Sequence, residues 1–360
     1  MWNYWNAGST TTYLSRYSPN QGWSNALALN GTDFVNAIVG PNNEIVVYWL
    51  QAQADGTDQL QANYIDASGN VSMLESLNIG EIGKTLFDFN MSGWISNDGV
   101  LEIFWVAYYS VGSPSLVSVK QSAINLTDVA GTAWQSVQTI SEGITEATWA
   151  YHLFETIAEP SGNLMLLMNG PQGLETLQRK SNVWEKITPL FPEAPSSPFT
   201  PNVAYNSEGQ AVLVISNFSV GEISPGNPGF EFRVIVRIYD PNSGWSPLTL
   251  INNPRPLPTP EAWNYGSLDG PKISINNKGQ IAVAWTDPLE TTHNIYANIY
   301  DPITGWLGEE LATETTMPMG FAKSFSISIT NTGDSTIIWD EPEELPNGNI
   351  KVRIKSVDRI

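Results

Sequence analysis

Two aspartates, Asp287 and Asp340, follow Trp285 and Trp339 by two residues and one residue. Carboxylates held roughly 5 to 10 Å apart can hydrolyse a glycosidic bond, one giving a proton while the other attacks or activates water. Each also opens a proline-containing turn, Asp287-Pro288 and Asp340-Glu341-Pro342, which is a common structural use of Asp. Trp149, Phe218, Trp263 and Tyr265 fall in segments that read as loops, and with Asp287 and Asp340 they form the candidate ligand-binding set. Aromatic rings stack on the apolar C–H faces of sugars while acids accept hydroxyl hydrogen bonds. The same rings suit cationic groups. Asp55-Gly56-Thr57-Asp58 offers clustered oxygens, so Asp55 and Asp58 are the candidate Ca²⁺ ligands, and no other cofactor is expected. Only His152 and His293 supply imidazole and there is no cysteine, which leaves little for a zinc site or a nucleophilic triad.

The composition narrows the partners. Acidic side chains number 36 against 16 basic ones, a formal charge of −20 that disfavours nucleic acid and anionic membrane surfaces. No apolar run approaches the roughly 20 residues that cross a bilayer, so membrane insertion is not expected. The start, MWNYWNAGSTTTY, has neither the basic nor the apolar segment of a signal peptide. The chain therefore reads as a mature extracellular or cell-surface domain, with the cytoplasm as the other location. Hydrophobic residues make up 41%, including 14 Trp, 13 Tyr and 12 Phe, enough for a large core.

The elements that must position these residues form a repeat. Its clearest copies are PKISINNKGQIAVAWTDP with NIYANIYDPITGW, and PNVAYNSEGQAVLVI with FRVIVRIYDPNSGW. Calling the strands of a unit A to D, A strands are expected at 34–39, 87–93, 151–158, 201–206, 271–276 and 324–330. Each is followed by an Asn, Asp or Gly turn that links antiparallel strands. B strands such as IAVAW and AVLVI are nearly continuous apolar runs, as expected of strands buried on both faces. C strands alternate apolar and polar residues, and D strands begin at Trp134, Trp184, Trp245 and Trp306. A four-stranded meander recurring every 50 to 60 or so residues is the pattern of a β-propeller blade. The expected fold is thus all-β: one propeller over 1–360, with blades near 31–83, 84–145, 146–197, 198–267, 268–320 and 321–360. Six blades are preferred, with residues 1–30 closing the ring and 23–29 supplying the missing outer strand of the last blade. Seven is the alternative, if the N-terminal strands pack as their own blade.

The repeated phrase, P-x-(I/V)-x-x-N-x-x-G-x-x-x-(A/V)-x-W followed by Y-A-N-x-Y-D-x-x-(T/S)-G-W, resembles the blade repeat of β-propellers in many bacterial secreted or surface proteins. The resemblance covers nearly the whole chain and implies architecture, because these repeats have no single activity. Sialidase, WD and kelch signatures are absent.

In such a meander the A–B and C–D turns share one face, and the B–C turns and D–A links share the other. The long segments, 189–200, 216–229, 252–270 and 340–347, all fall on the second face, where binding loops are expected. The preferred reading is a non-enzymatic propeller that binds glycans or proteins through that face. The alternative is a polysaccharide-active enzyme using Asp287 and Asp340.

Overall fold

The computed structural model describes the chain except residues 1, 7–8, 19–21, 31–35, 56, 80–90, 110–115, 129–132, 146–152, 159–162, 171–172, 181–182, 188–201, 225–226, 258–269, 287–293, 314–324, 345–349 and 360. It is a β-propeller built from antiparallel sheets, and its only helical piece among the described residues is the 3-10 turn Leu126–Asp128. Units 2 and 3 show the plain four-stranded blade: Met91–Ile95, Val100–Tyr109, Leu116–Asn125 and Gln138–Thr145, then Leu153–Ala158, Leu164–Gly170, Gly173–Lys180 and Val183–Ile187. Units 1, 4 and 5 keep the A–B–C order and break the outer strand into short pieces, such as Gly244–Trp245 and Thr249–Leu250 in unit 4.

The B strands explain why the sheets stack. Neighbouring residues of a strand face opposite sides, and here both sides are apolar. Ala211, Leu213 and Ile215 pack with Met165 and Leu167 of unit 3, while Val212 and Val214 pack with Ile281, Val283 and Trp285 of unit 5. Ala282 and Ala284 then meet Phe325 and Ile337 of unit 6. The B strands of units 1 to 5 therefore each belong to two cores, whereas that of unit 6 joins one through Ile337 and Trp339 and exposes Ile338 on its other face. The in-phase tryptophans Trp49, Trp105, Trp285 and Trp339 are all buried here. They pack the scaffold.

Polar links join the same neighbours. Asn206 Nδ2 donates to Gln210 Oε1 in its own turn at 2.9 Å and to the Asn276 carbonyl of the next unit at 2.9 Å. Asn276 repeats this with Gln280 Oε1 at 2.8 Å and the Thr330 carbonyl at 2.7 Å. The glutamines complete the latch by donating to the C–D turn aspartates, Gln210 to Asp240 and Gln280 to Asp301. The Gln280 amide, with the Ile303 N–H, holds the Asp301 carboxyl below its ordinary value. Across units 2 and 3, Arg179 and Glu102 form an almost buried ion pair at 2.6 Å.

Three sequence expectations are corrected. First, segment 23–29 does not complete the last blade. Leu27–Asn30 pairs with Ser9–Leu14, which pairs with Trp2–Asn6, giving an N-terminal sheet of its own. Leu14 and Leu27 pack on Ile45, Val47 and Ile65 of unit 1, so burial draws this strand towards the first unit. Among the described residues Ile350–Arg359 pairs only with Ser335–Glu344. Second, 216–229 and 340–347 are largely ladder rather than loop. Ala211–Ser224 runs opposite Asn227–Asp240, and Ser335–Glu344 opposite Ile350–Arg359. Third, Trp134 lies ahead of the outer strand of unit 2, which begins at Gln138; its indole N–H donates to the Glu75 carbonyl of unit 1 at 2.6 Å.

The latch carries a stability prediction. Asn276→Ala removes the buried amide that joins its own turn to the Thr330 carbonyl and is expected to lower the unfolding free energy by about 1–3 kcal/mol. Ile303→Ala, at a side chain 93% exposed, should change it by less than about 0.5 kcal/mol. Denaturant unfolding of both variants checks this, and equal effects would remove the latch from the account.

Candidate functional site

The B–C and D–A face is where the sequence places the site, and its described parts are hairpins of unequal height. The B strand of unit 5 ends at Thr286, paired with Ile295. By register the equivalent residues are Ser216 in unit 4 and Asp340 in unit 6, since Ala211, Ile281 and Ser335 all begin their strands opposite the last A-strand residue. The unit 4 hairpin continues eight residues beyond Ser216, to Ser224, and the unit 6 hairpin four beyond Asp340, to Glu344. At about 3.3 Å per residue these are walls roughly 27 and 13 Å tall on either side of unit 5.

The candidate residues fall as follows. Asp340 lies inside a strand rather than opening a loop, directly after buried Trp339 and paired with Ile354. Phe218 lies in the tall hairpin of unit 4, paired with Phe232. Trp149, Trp263, Tyr265 and Asp287 lie outside the described residues, as do His152 and His293. The structure brings Asp340 and Phe218 onto flanking walls and leaves the other four unplaced.

Asp55 and Asp58 lie on the same face of unit 1, Asp55 in the B–C connection and Asp58 as the first residue of the C strand, paired with Ala52. Asp55 Oδ1 accepts the Thr57 hydroxyl at 2.7 Å and the Thr57 N–H at 3.0 Å, which holds its carboxyl below the ordinary value. This is the local bonding of an Asx turn, and it gives Asp55 a structural task. Asp58 is half-buried, and burial pushes its carboxyl up. Among the described residues no three His, Cys, Asp or Glu side chains gather as a metal site.

The opposite face holds what the sequence reading missed. A cavity of about 390 Å³ opens between the turns of units 1 and 2, lined by residues that include Asn42, Glu44, Tyr64, Asn97 and Asp98. The Glu44 residue is only 4% exposed, and its Oε2 has no hydrogen-bond partner. Tyr64 is pushed up by burial and by the charges of Glu44 and Asp66. A signal was present: unit 1 has Gly40 and Glu44 where units 4 and 5 have Asn and Gln.

No family model matches the chain, and no curated protein does either. Solved structures do resemble it. An α-L-arabinanase from Penicillium chrysogenum, complexed with arabinobiose, is 15% identical over 89% of this chain and 92% of its own, with a TM-score of 0.43. An α-L-arabinofuranosidase from Fusarium graminearum is 12% identical over 90% and 92%, at 0.43. A polysaccharide lyase, an ulvan lyase, is 10% identical over 84% and 78%, at 0.46. At such identities the likeness concerns the fold. The expectation of a non-enzymatic binder is not kept as the preference: the similar structures are an arabinanase, an arabinofuranosidase and a polysaccharide lyase, activities that are theirs.

Asp58 gives a pH prediction. A carboxyl raised by burial favours the folded state while protonated, so its contribution is fully present below the unfolded pKa and lost as pH rises through the folded one. Asp58→Asn should therefore raise the melting temperature at pH 7 and leave it unchanged below about pH 3. Thermal melts at both pH values check this; a lower melting temperature at pH 7 would mean the charged form is wanted there, as by a bound cation.

Proposed function

We propose that this propeller cleaves polysaccharide on its B–C and D–A face, in the trough between the tall hairpins of units 4 and 6. The observation that carries the reading is that the described hairpins of units 4 and 6 continue past the level of Thr286 in unit 5, presenting two raised strands to an extended polymer. Asp340 lies at that floor level, and Asp287 is the residue after Thr286 in the sequence. Stacked sheets lie about 10 Å apart. The proposed reaction requires the two carboxyls roughly 6.5–9.5 Å apart, as in an inverting pair. In that arrangement one carboxylic acid protonates the glycosidic oxygen as the C–O bond breaks. The other carboxylate takes a proton from the water that attacks the anomeric carbon. Trp149, Trp263, Tyr265 and Phe218 are the proposed stacking residues that hold sugar rings along the trough.

The formal charge of −20 favours neutral polymers over sulfated or uronic ones. An extracellular or cell-surface location, where such polymers are met, belongs to the same proposal, and carbohydrate is the proposed partner.

Release of reducing ends from a panel of neutral and anionic polysaccharides, arabinan and ulvan included, tests the reading. The wild-type chain should act on a neutral polymer. Asp287→Asn or Asp340→Asn should each lower kcat by about 10²–10⁴-fold with the circular dichroism spectrum unchanged. Turnover unaffected in both variants would exclude these carboxylates.

A further inference from the structure

Unit 1 departs from the turn chemistry of units 4 and 5 at three linked positions. The backbone is equivalent: Gly40 N donates to the Glu44 carbonyl at 2.8 Å, as Asn206 N does to Gln210 and Asn276 N to Gln280, both at 3.0 Å. The registers Ile45 with Ile65, Ala211 with Tyr239 and Ile281 with Tyr300 place Asp66 where units 4 and 5 have Asp240 and Asp301. Gly40 thus replaces the latch asparagine, Glu44 the latch glutamine, and Asn70 the glycine of the C–D turn, Gly244 and Gly305 in units 4 and 5.

The consequences are chemical. Where Gln280 donates an amide N–H to Asp301, unit 1 has a second carboxylate, and Asp66 instead accepts from the Asn70 side chain at 2.8 Å. Gly40 has no amide to send to unit 2. Its missing side chain makes room for Glu44, whose carboxyl carbon lies 2.5 Å from where a Gly40 Cβ would stand. Glu44 lines the 390 Å³ cavity, and its Oε2 is left buried and without a partner. A buried carboxylate oxygen costs free energy unless a donor or cation meets it. Among the described residues no basic side chain lines the cavity; Arg16 Nη1 donates to the Ala67 carbonyl at 3.1 Å.

The volume and walls decide the kind of cation. At about 30 Å³ per water the space equals about a dozen waters, more than a single ion needs. Leu126 and Ala67 add apolar wall, and no three metal-ligating side chains gather among the described residues. We propose that this cleft binds a primary ammonium carried on an aliphatic or sugar body, with Glu44 as the buried acceptor and Asn42, Asn97 and Asp98 beside the body. The site lies on the face opposite the proposed trough and is independent of it.

Calorimetric titration of the full chain with n-butylammonium, glucosamine and Ca²⁺ tests the proposal. Saturable one-to-one binding of at least one amine is expected, and the tighter of the two assigns the body as aliphatic or sugar. Glu44→Gln rebuilds the glutamine that units 4 and 5 carry at this place, so it should fold, and it should weaken amine binding by about 10–100-fold. Absence of binding by both amines, binding unchanged in Glu44→Gln, or Glu44-dependent binding of Ca²⁺ alone would each overturn it.

Discussion

The constraint on which the whole structure depends is that its B strands are apolar on both faces. A lone sheet with such a strand would leave one apolar face in water, and burial is the dominant favourable term in folding. Ala211, Leu213 and Ile215 need one neighbour while Val212 and Val214 need another. Units 1 to 5 each require a neighbour on either side, and stacking sheets about a common axis supplies it. Propeller architecture is the geometric answer to a two-faced strand.

Apolar stacking alone does not fix the level of one sheet against the next. The latch asparagines do, because each must satisfy its own turn and the neighbour's carbonyl at once. Buried amides of this kind hold a register because leaving them unpaired is costly. With levels fixed, differences in hairpin height become meaningful shape. The hairpins of units 4 and 6 can be compared in height because the A–B registers of units 4, 5 and 6 start at equivalent residues.

The scaffold was largely legible in the sequence and the site was not. Apolar runs such as IAVAW and the Asn/Gly turns carry period and turn chemistry locally, so strands and their order followed. Closure could not be read the same way. Whether Leu27–Asn30 joins the last unit or pairs with Ser9–Leu14 depends on long-range packing of Leu14 and Leu27 that no local pattern encodes. The segment 216–229 looked like a loop because Asn217, Ser219 and Gly221 interrupt the apolar run, yet backbone pairing continues through them. The two departures with chemical content, Gly40 and Glu44, were visible letters, but their meaning depended on knowing the hydrogen bonds that Asn and Gln make elsewhere.

The central claim is that the working surface lies in the trough above unit 5. Hydrogen–deuterium exchange of the chain with and without a cleaved oligosaccharide product tests it most directly. The account predicts slowed exchange confined to the upper parts of the unit 4 and unit 6 hairpins, 216–224 and 340–344 with their partner strands. Protection confined to the A–B turns at 40–44 and 96–99, or none on either face at saturating product, would contradict it.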